Sequence, residues 1–591
     1  MDADQLIELK RRLYASAHSP RASTLLTMPL EPAPLRGYSV PPRIPHTVVN
    51  HLPQWEDNIL VCTGRAGEFM RETSYPRFRI HPLLQKLTDI IIVALDPTAK
   101  RHCFLFPTVL QAEECRSHIH VNFPSSVCEV QCVTELCQPP PGHQVFAVLF
   151  DAERKGVFNF YTFSGDGLSP RLAELCLLRR VGDLRPTLSL PPAGSSLSEY
   201  YKRHSPLDSV EDAKRVIRTR FSGFAEEVEN MRGVPGASPD DVYLFASGMQ
   251  AIWRMHKLLA STVGSEYDAD GRKVAQVNML YCDSYKLLEL PSSAGYHFFT
   301  NDTLNDLETL LETGTPECPA ILALFTDFPG NPHLRSADIK RLRTLADRYN
   351  FPLIIDETVG GYMNVQLFPY CDVAVSSLTK LFSGNANVLG GAMMLNPTSR
   401  FYAQFKARME ATYEDTFFGS DALVLEMNSR EYKERVAVTN HNAEQLSDLL
   451  YQRSVLGGAK DSVLRVVHYP KYRTRENYDH CRNPLAGKAG LPAFGYGYLL
   501  SVTFTSLEAA KVFYSALKCF KGATLGTVFT LATAFTAIAY MPDRMQWAEE
   551  HGVEESLVRF TVGMEDTESI LKCVSDALDV AESEMKKGRA Q

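Results

Sequence analysis

The sequence predicts an α/β protein: a mostly parallel sheet flanked by helices, a smaller α+β domain after it and a further α/β module before it. Three observations carry that expectation. Short runs of buried-type residues at 242–245, 320–325, 353–355 and 373–375 alternate with stretches of helical pattern. Polar residues able to do chemistry, Ser247, Asn331, Asp356 and Ser377, stand just beyond the ends of these runs, where open α/β sheets bind their ligands. Two proline-rich breaks, 138–142 and 190–196, punctuate the first third, and the second reads as a domain boundary.

In chain order, residues 1–195 are expected to form a separate N-terminal extension module, with strands at 90–95 and 145–150 and helices between them. Residues 196–439 form the large domain with the parallel sheet. Residues 440–591 form the small C-terminal domain, with a strand at 499–504. The apolar stretch 523–541 is interrupted by Gly526 and by Thr524, Thr527, Thr530, Thr533 and Thr536. It reads as buried structure beside the functional site, because a membrane span would be more uniformly apolar.

Composition narrows the function. The chain has 591 residues, 45% hydrophobic and 22% charged, with a formal net charge of −8. That balance excludes a nucleic-acid or anionic-membrane partner, since no basic excess is available for counterion release. Asp2 and Asp4 stand where a secretory signal needs basic residues, so a cytoplasmic protein is expected. Thirteen cysteines, scattered along the chain, are expected to be reduced. Cys103, Cys115, Cys128, Cys132 and Cys137 lack the paired knuckles of a zinc site and read as strand and core thiols, with no metal expected.

The chemistry concentrates in three places. Lys380 lies in Ser377-Leu378-Thr379-Lys380, 24 residues after Asp356, and Ser247-Gly248-Met249 lies upstream, between a strand pattern and a helical one. Each has a bland reading alone: a loop lysine, an N-cap aspartate, an ordinary strand-to-helix turn. Together and in this order they match the demands of pyridoxal 5'-phosphate. Lys380 supplies the amine for a Schiff base. Asp356 supplies a carboxylate for the pyridinium nitrogen. The Ser377 and Thr379 hydroxyls and the amides at Ser247, Gly248 and Met249 supply a phosphate site.

These motifs resemble those of the cystathionine γ-synthase family, the γ-branch of fold-type I pyridoxal phosphate enzymes, in its long fungal form. The resemblance runs from about residue 201 to 582 through Tyr201-Lys202-Arg203, Ser247-Gly248-Met249, Tyr281-Cys282-Asp283-Ser284-Tyr285, Pro329-Gly330-Asn331-Pro332, Asp356-Glu357-Thr358, Thr524-Leu525-Gly526 and Arg559-Phe560-Thr561-Val562-Gly563. Tyr75-Pro76-Arg77-Phe78 also resembles the fungal N-terminal extension.

The resemblance implies that Tyr281 stacks on the cofactor ring and exchanges protons with substrate, and that Asn331 meets the cofactor's phenolic oxygen. It implies that Arg559, with Thr524 nearby, binds the substrate α-carboxylate. It also implies that Tyr201 and Arg203 grip the phosphate in a neighbouring subunit, making a homodimer or homotetramer with shared sites. The implied reaction is γ-substitution on an O-acetyl- or O-succinyl-L-homoserine with cysteine as nucleophile. A carbon or amine nucleophile in natural-product synthesis, a γ-lyase, and a catalytically dead interaction protein are the rivals. The sequence departs from the family pattern at Thr524 (usually serine), Asp327 (usually glutamate) and Phe529 (near a bacterial carboxylate). Glu426 and Asn428 replace a basic motif.

Overall fold

The computed structural model describes residues 36–40, 46–70, 74–98, 100–180, 209–223, 230–263, 271–290, 293, 295–488 and 493–590. Its strands form three sheets. The first is antiparallel, in the order β1 (His102–Phe106), β3 (Phe146–Phe150), β2 (Cys128–Cys132). The second holds β4 (Val242–Phe245), β5 (Val274–Val277), β6 (Tyr296–Phe299), β7 (Leu324–Asp327), β8 (Leu353–Asp356), β9 (Val373–Ser376) and β10 (Gly391–Leu395), in the order β4-β10-β9-β8-β7-β5-β6. Its β9-β8-β7-β5-β6 portion is parallel, and β10 runs antiparallel to both its neighbours. The third holds β11 (Leu464–His468), β12 (Leu499–Phe504), β13 (Phe520–Lys521), β14 (Leu531–Ala534) and β15 (Leu557–Thr561), in the order β11-β12-β15-β14-β13.

The central strands are largely apolar because helices cover both faces. Alternate side chains feed two separate cores. Leu244, Val277, Leu324, Ile355 and Ala374 pack with Ile217, Leu342 and Leu345 on one face. Phe245, Val274, Phe325, Ile354 and Val375 pack with Met249, Ile252 and Leu259 on the other. The run at 320–325 enters the sheet only from Leu324, later than its pattern predicts.

The strand expected at 90–95 needs correction. Residues 90–95 are the end of the helix Pro82–Leu95. Pro82 sits at its first position, the His81 ring accepts a hydrogen bond from the Leu83 amide, and Leu84, Leu87 and Ile91 are buried on one face while Val93 is 69% exposed. A helix start with a capping group and an apolar stripe outweighs the strand preference of a β-branched run. The N-terminal module has a sheet of its own, β1-β3-β2, and packs against the large domain. Phe104, Phe106, Phe150 and Phe160 share one apolar core with Phe245, Met249 and Trp253 of the large domain. Residues 46–52 dock on both other domains: the Leu52 amide bonds to the Lys521 carbonyl of the small domain and the Val48 amide to the Ala386 carbonyl of the large one.

The boundary expected at 440 falls inside one continuous 21-residue helix, Tyr432–Gln452. Arg435 on this helix donates to the Leu381 and Phe382 carbonyls, and Asn442 donates to those of Gly563 and Glu565. The boundary expected at 195 lies outside the described residues. Among the described residues no helix is long and apolar enough to cross a membrane. In the stretch 523–541 all five threonines are buried, each hydroxyl hydrogen-bonded, from Lys380 at Thr524 to the Glu554 carbonyl at Thr536.

Candidate active site

The parallel strands end together on one side of the sheet, and the site is built on those ends. Asp356 is the last residue of β8, Ser377 follows β9, and Ser247 follows β4. Thr358 ties two of the ends: its amide donates to Asp356 Oδ1 at 2.8 Å, and its hydroxyl accepts from the Ser377 amide at 2.8 Å. Among the described residues Asp356 forms no ion pair. Burial, offset by its bonds to Thr358, raises its pKa to about 6. Asp327, at the end of neighbouring β7, accepts the Tyr281 amide at 2.8 Å, and burial together with the Asp356 charge pushes its pKa well up. Two buried carboxyls side by side call for a cation.

Lys380 is half-buried, with its amine against the small domain. Its amine donates to Thr524 Oγ1 at 3.1 Å and lies 4.8 Å from the centre of the Tyr75 ring. Burial lowers its pKa, opposed by Tyr75 and assisted by the positive charges of Arg77 and Arg559. A lysine so placed is more readily a neutral amine, the form that attacks a carbonyl. The Thr524 turn comes this close because Gly526 has no side chain. It holds φ +70°, and a Cβ there would lie 2.4 Å from the Leu381 amide nitrogen. Gly526→Ala is therefore expected to cost roughly 1–3 kcal/mol of stability from backbone strain and to weaken cofactor retention. Thermal melting and cofactor titration check this, and unchanged values in both would show that the turn can shift.

Arg559, on β15, is 3% exposed. It donates to Asn331 Oδ1 at 3.2 Å and to the Thr524 carbonyl at 3.2 Å, and its guanidinium lies 4.5 Å from the Phe535 ring centre. These partners are all neutral, and among the described residues no carboxylate pairs with it. Burial lowers its pKa to about 10, so it stays charged at neutral pH. A buried cation with no counter-charge is poised for an anionic ligand.

The phosphate candidates divide. The helix Gly248–Thr262 begins at the expected turn, and a Cβ on Gly248 would lie 2.7 Å from that of Ser377, so helix start and strand end meet backbone to backbone. The Gly248 and Met249 amides and the Ser377 hydroxyl are gathered there. The Ser247 hydroxyl is otherwise engaged: it caps the helix by accepting from the Gln250 amide and donates to the Gly165 carbonyl. Thr379 is likewise tied to Gly390, donating to its carbonyl and accepting from its amide. Both hydroxyls thereby hold backbone in place around the candidate phosphate site. Tyr201 and Arg203 lie outside the described residues.

Sequence reasoning assigned no role to Tyr75 and Arg77, which the fold brings into the same site from about 300 positions before Lys380. Arg77 is 4% exposed and donates to the Tyr281 hydroxyl at 3.1 Å and to Asp283 at 3.3 Å. The Tyr281 hydroxyl in turn donates to Asp283 at 2.9 Å. The only sequence signal was the Tyr75-Pro76-Arg77-Phe78 motif. The departures resolve as structure: Glu426 pairs with Arg220 and Arg430, Asn428 bonds to Ser383 and Asn387, and Phe529 is buried against Phe520.

A strand-end lysine, a carboxylate with no counter-ion and a helix start stripped of side-chain bulk define a site fitted to an aldehyde cofactor bearing a ring nitrogen and a phosphate. Comparison with known proteins agrees. The family described as Cys/Met metabolism PLP-dependent enzyme matches residues 224–579, and the fungal trans-sulfuration enzyme N-terminal domain matches residues 83–169. The chain belongs to the Cys/Met metabolism PLP-dependent enzyme family; it is a fold-type I enzyme whose cofactor is pyridoxal 5'-phosphate. It is 37% identical to the cystathionine gamma-synthase-like enzyme iboG1 of Amanita muscaria, over 92% of this chain and 97% of that one. It is 31% identical to the cystathionine gamma-synthase of Neurospora crassa, over 93% and 98%, and 29% identical to the alanine racemase ungC of Aspergillus violaceofuscus, over 91% and 95%. The coarse assignment is a cystathionine γ-synthase-like enzyme.

Proposed function

We propose that this enzyme performs γ-substitution on an O-acetyl- or O-succinyl-L-homoserine, with cysteine as the default nucleophile and cystathionine as the product. The observation that carries this reading is Arg559, a buried cation held only by neutral partners beside Thr524, to which Lys380 also bonds. A buried guanidinium of this kind, suited to an amino acid's carboxylate and close to the amine that would act at its Cα, supports the reading. Gene-product names among the relatives, a cystathionine gamma-synthase and a cystathionine gamma-synthase-like enzyme, point the same way.

Pyridoxal 5'-phosphate supplies an electron sink that acidifies the substrate's Cα proton. Lys380 takes that proton and returns one, and its depressed pKa keeps a neutral amine within reach. Asp356 would hold the ring nitrogen protonated, and that nitrogen would supply the missing counter-charge. The Gly248 and Met249 amides, with the Ser377 hydroxyl, would hold the phosphate. Arg559 fixes the substrate carboxylate, and Asn331 orients Arg559.

A second reading, a carbon or amine nucleophile in place of cysteine, is favoured by one feature. Val48, Val49, Phe520, Phe529 and Leu531 form an apolar cluster with Tyr75 next to Lys380, which favours an uncharged incoming group over a zwitterion.

Incubating the purified enzyme with both homoserine esters and a panel of thiol, amine and carbon nucleophiles, with products read by mass spectrometry, tests both readings. Cystathionine from cysteine is the expected outcome. Consumption of neither ester with any nucleophile would overturn the proposal. Within it, Arg559→Ala should lose about 2–5 kcal/mol of substrate binding. Steady-state kinetics should show KM raised by at least about 30-fold, and an unchanged KM would remove Arg559 from the carboxylate site.

A further inference from the structure

Tyr75 and Arg77 belong to the N-terminal segment, yet they are in place beside Lys380 within a single chain. Tyr75 is buried in the apolar cluster with Val40, Val48, Phe520 and Phe529, which fixes its ring. Arg77 is anchored at both ends: its carbonyl accepts from Thr162 Oγ1 at 2.9 Å, and its guanidinium reaches the Thr162 carbonyl, Asp283 and the Tyr281 hydroxyl. That guanidinium also lies 5.4 Å from the Tyr75 ring centre. Tyr75 is thus held between two cations, Lys380 and Arg77.

We propose that Tyr75 is a proton-exchanging residue of the Lys380 site, supplied by the N-terminal segment of the same chain and positioned by Arg77. The exchange moves one proton. The phenol O–H breaks, its electron pair stays on oxygen, and an N–H bond forms on the Lys380 amine; the reverse step restores both. Nothing else is consumed. Lys380 must be neutral to take a Cα proton and protonated to give one, and a phenol at its side lets it reset between those steps. The inference rests on Lys380 being the cofactor-bearing lysine.

The charges facing the pair set the direction of its titration. Burial alone would raise the Tyr75 pKa, but Lys380 and Arg77, by charge and by hydrogen bonding, bring it below the usual phenol value. Lys380 is faced by Tyr75, Arg77, Arg559 and, more distantly, Asp356. Tyr281 and Asp283 face Arg77 from the opposite side. Removing the Tyr75 oxygen takes an acceptor away from the Lys380 nitrogen. Removing the Arg77 charge takes a cation away from it. The two changes therefore push its proton affinity in opposite directions.

The test uses the full-length holoenzyme loaded with pyridoxal 5'-phosphate. The pH titration of the cofactor's visible band reports the proton on the Lys380 nitrogen. Tyr75→Phe is expected to lower the midpoint by about one unit, and Arg77→Met to raise it. Arg77→Lys, which keeps the charge and serves if the methionine variant does not fold, is expected to leave the midpoint close to wild type. Tyr75→Phe should also lower kcat by about 100-fold with little change in KM. Wild-type midpoints in both Tyr75→Phe and Arg77→Met, or shifts of the same sign in the two, would overturn the assignment. A wild-type protein showing no visible band, and no borohydride-fixed pyridoxyl group at position 380, would instead overturn the underlying reading of Lys380.

Discussion

Lys380→Ala is expected to abolish turnover, by on the order of 10^4-fold or more, while the protein still folds and still binds pyridoxal 5'-phosphate weakly. The amine is both the attachment point of the cofactor and the base that moves the Cα proton, and residues that act as a unit do not lose their effects piecemeal. The phosphate cradle at Gly248, Met249 and Ser377 is built on backbone and strand ends that do not involve the lysine side chain. Residual binding should survive for that reason. Borohydride reduction and peptide mapping check the assignment: wild type should carry the pyridoxyl group on the peptide containing Lys380, and its appearance on another lysine would remove the role.

Asp356→Asn is expected to lower kcat by about 10^2–10^4-fold, because an amide cannot hold a ring nitrogen protonated. The same substitution has a second, opposite signature in cofactor-free protein. Burial raises the Asp356 pKa to about 6 in the folded chain, above the ordinary carboxylate value. Below about pH 4 both folded and unfolded chains hold this proton. Between about pH 4 and 6 the unfolded chain releases it first, so stability falls as pH rises, and above about 6 the loss is complete, on the order of 2–3 kcal/mol. Asparagine removes that slope. Cofactor-free Asp356→Asn should therefore melt higher than cofactor-free wild type at pH 8, and loading with pyridoxal 5'-phosphate should reverse the order. Melting curves of both forms across this pH range check the sign. A variant less stable than wild type when empty would show that Asp356 is a structural anchor.

The parts of the site legible in the sequence are those whose placement is local. Asp356 and Ser377 announce themselves because each ends a run of buried-type residues, and a strand end in a parallel sheet fixes which way the chain emerges. Gly248 is legible as the start of a helix. Long-range placement is not. Tyr75 and Arg77 reach Lys380 through contacts far along the chain, the segment 46–52 pairing with Ala386 and Lys521 and Arg77 held by Thr162 and Asp283, and no periodicity encodes a contact across 300 residues. The run at 90–95 shows the complementary failure. Isoleucine and valine favour strands, but the capping His81 and Pro82 lie outside the run, so a reading confined to it misses the signal that decides. Ser247 and Thr379 carry the residue types expected of a phosphate site, yet what their hydroxyls bond to depends on Gly165 and Gly390. Those partners are set by tertiary packing.

The helix Tyr432–Gln452 makes the two halves of the site parts of one rigid gauge. Its Arg435 grips the chain immediately after Lys380, and seven positions later its Asn442 grips the chain shortly after Arg559. Seven residues are about two helical turns, so both clamps lie on nearly the same face, roughly 10 Å apart along one axis. The distance between the reacting amine and the carboxylate receptor is thereby metered by a stiff bar that carries no chemistry itself. One inserted residue between the clamps would advance the second by about 1.5 Å and swing it by about 100°, detuning substrate alignment without touching an active-site atom.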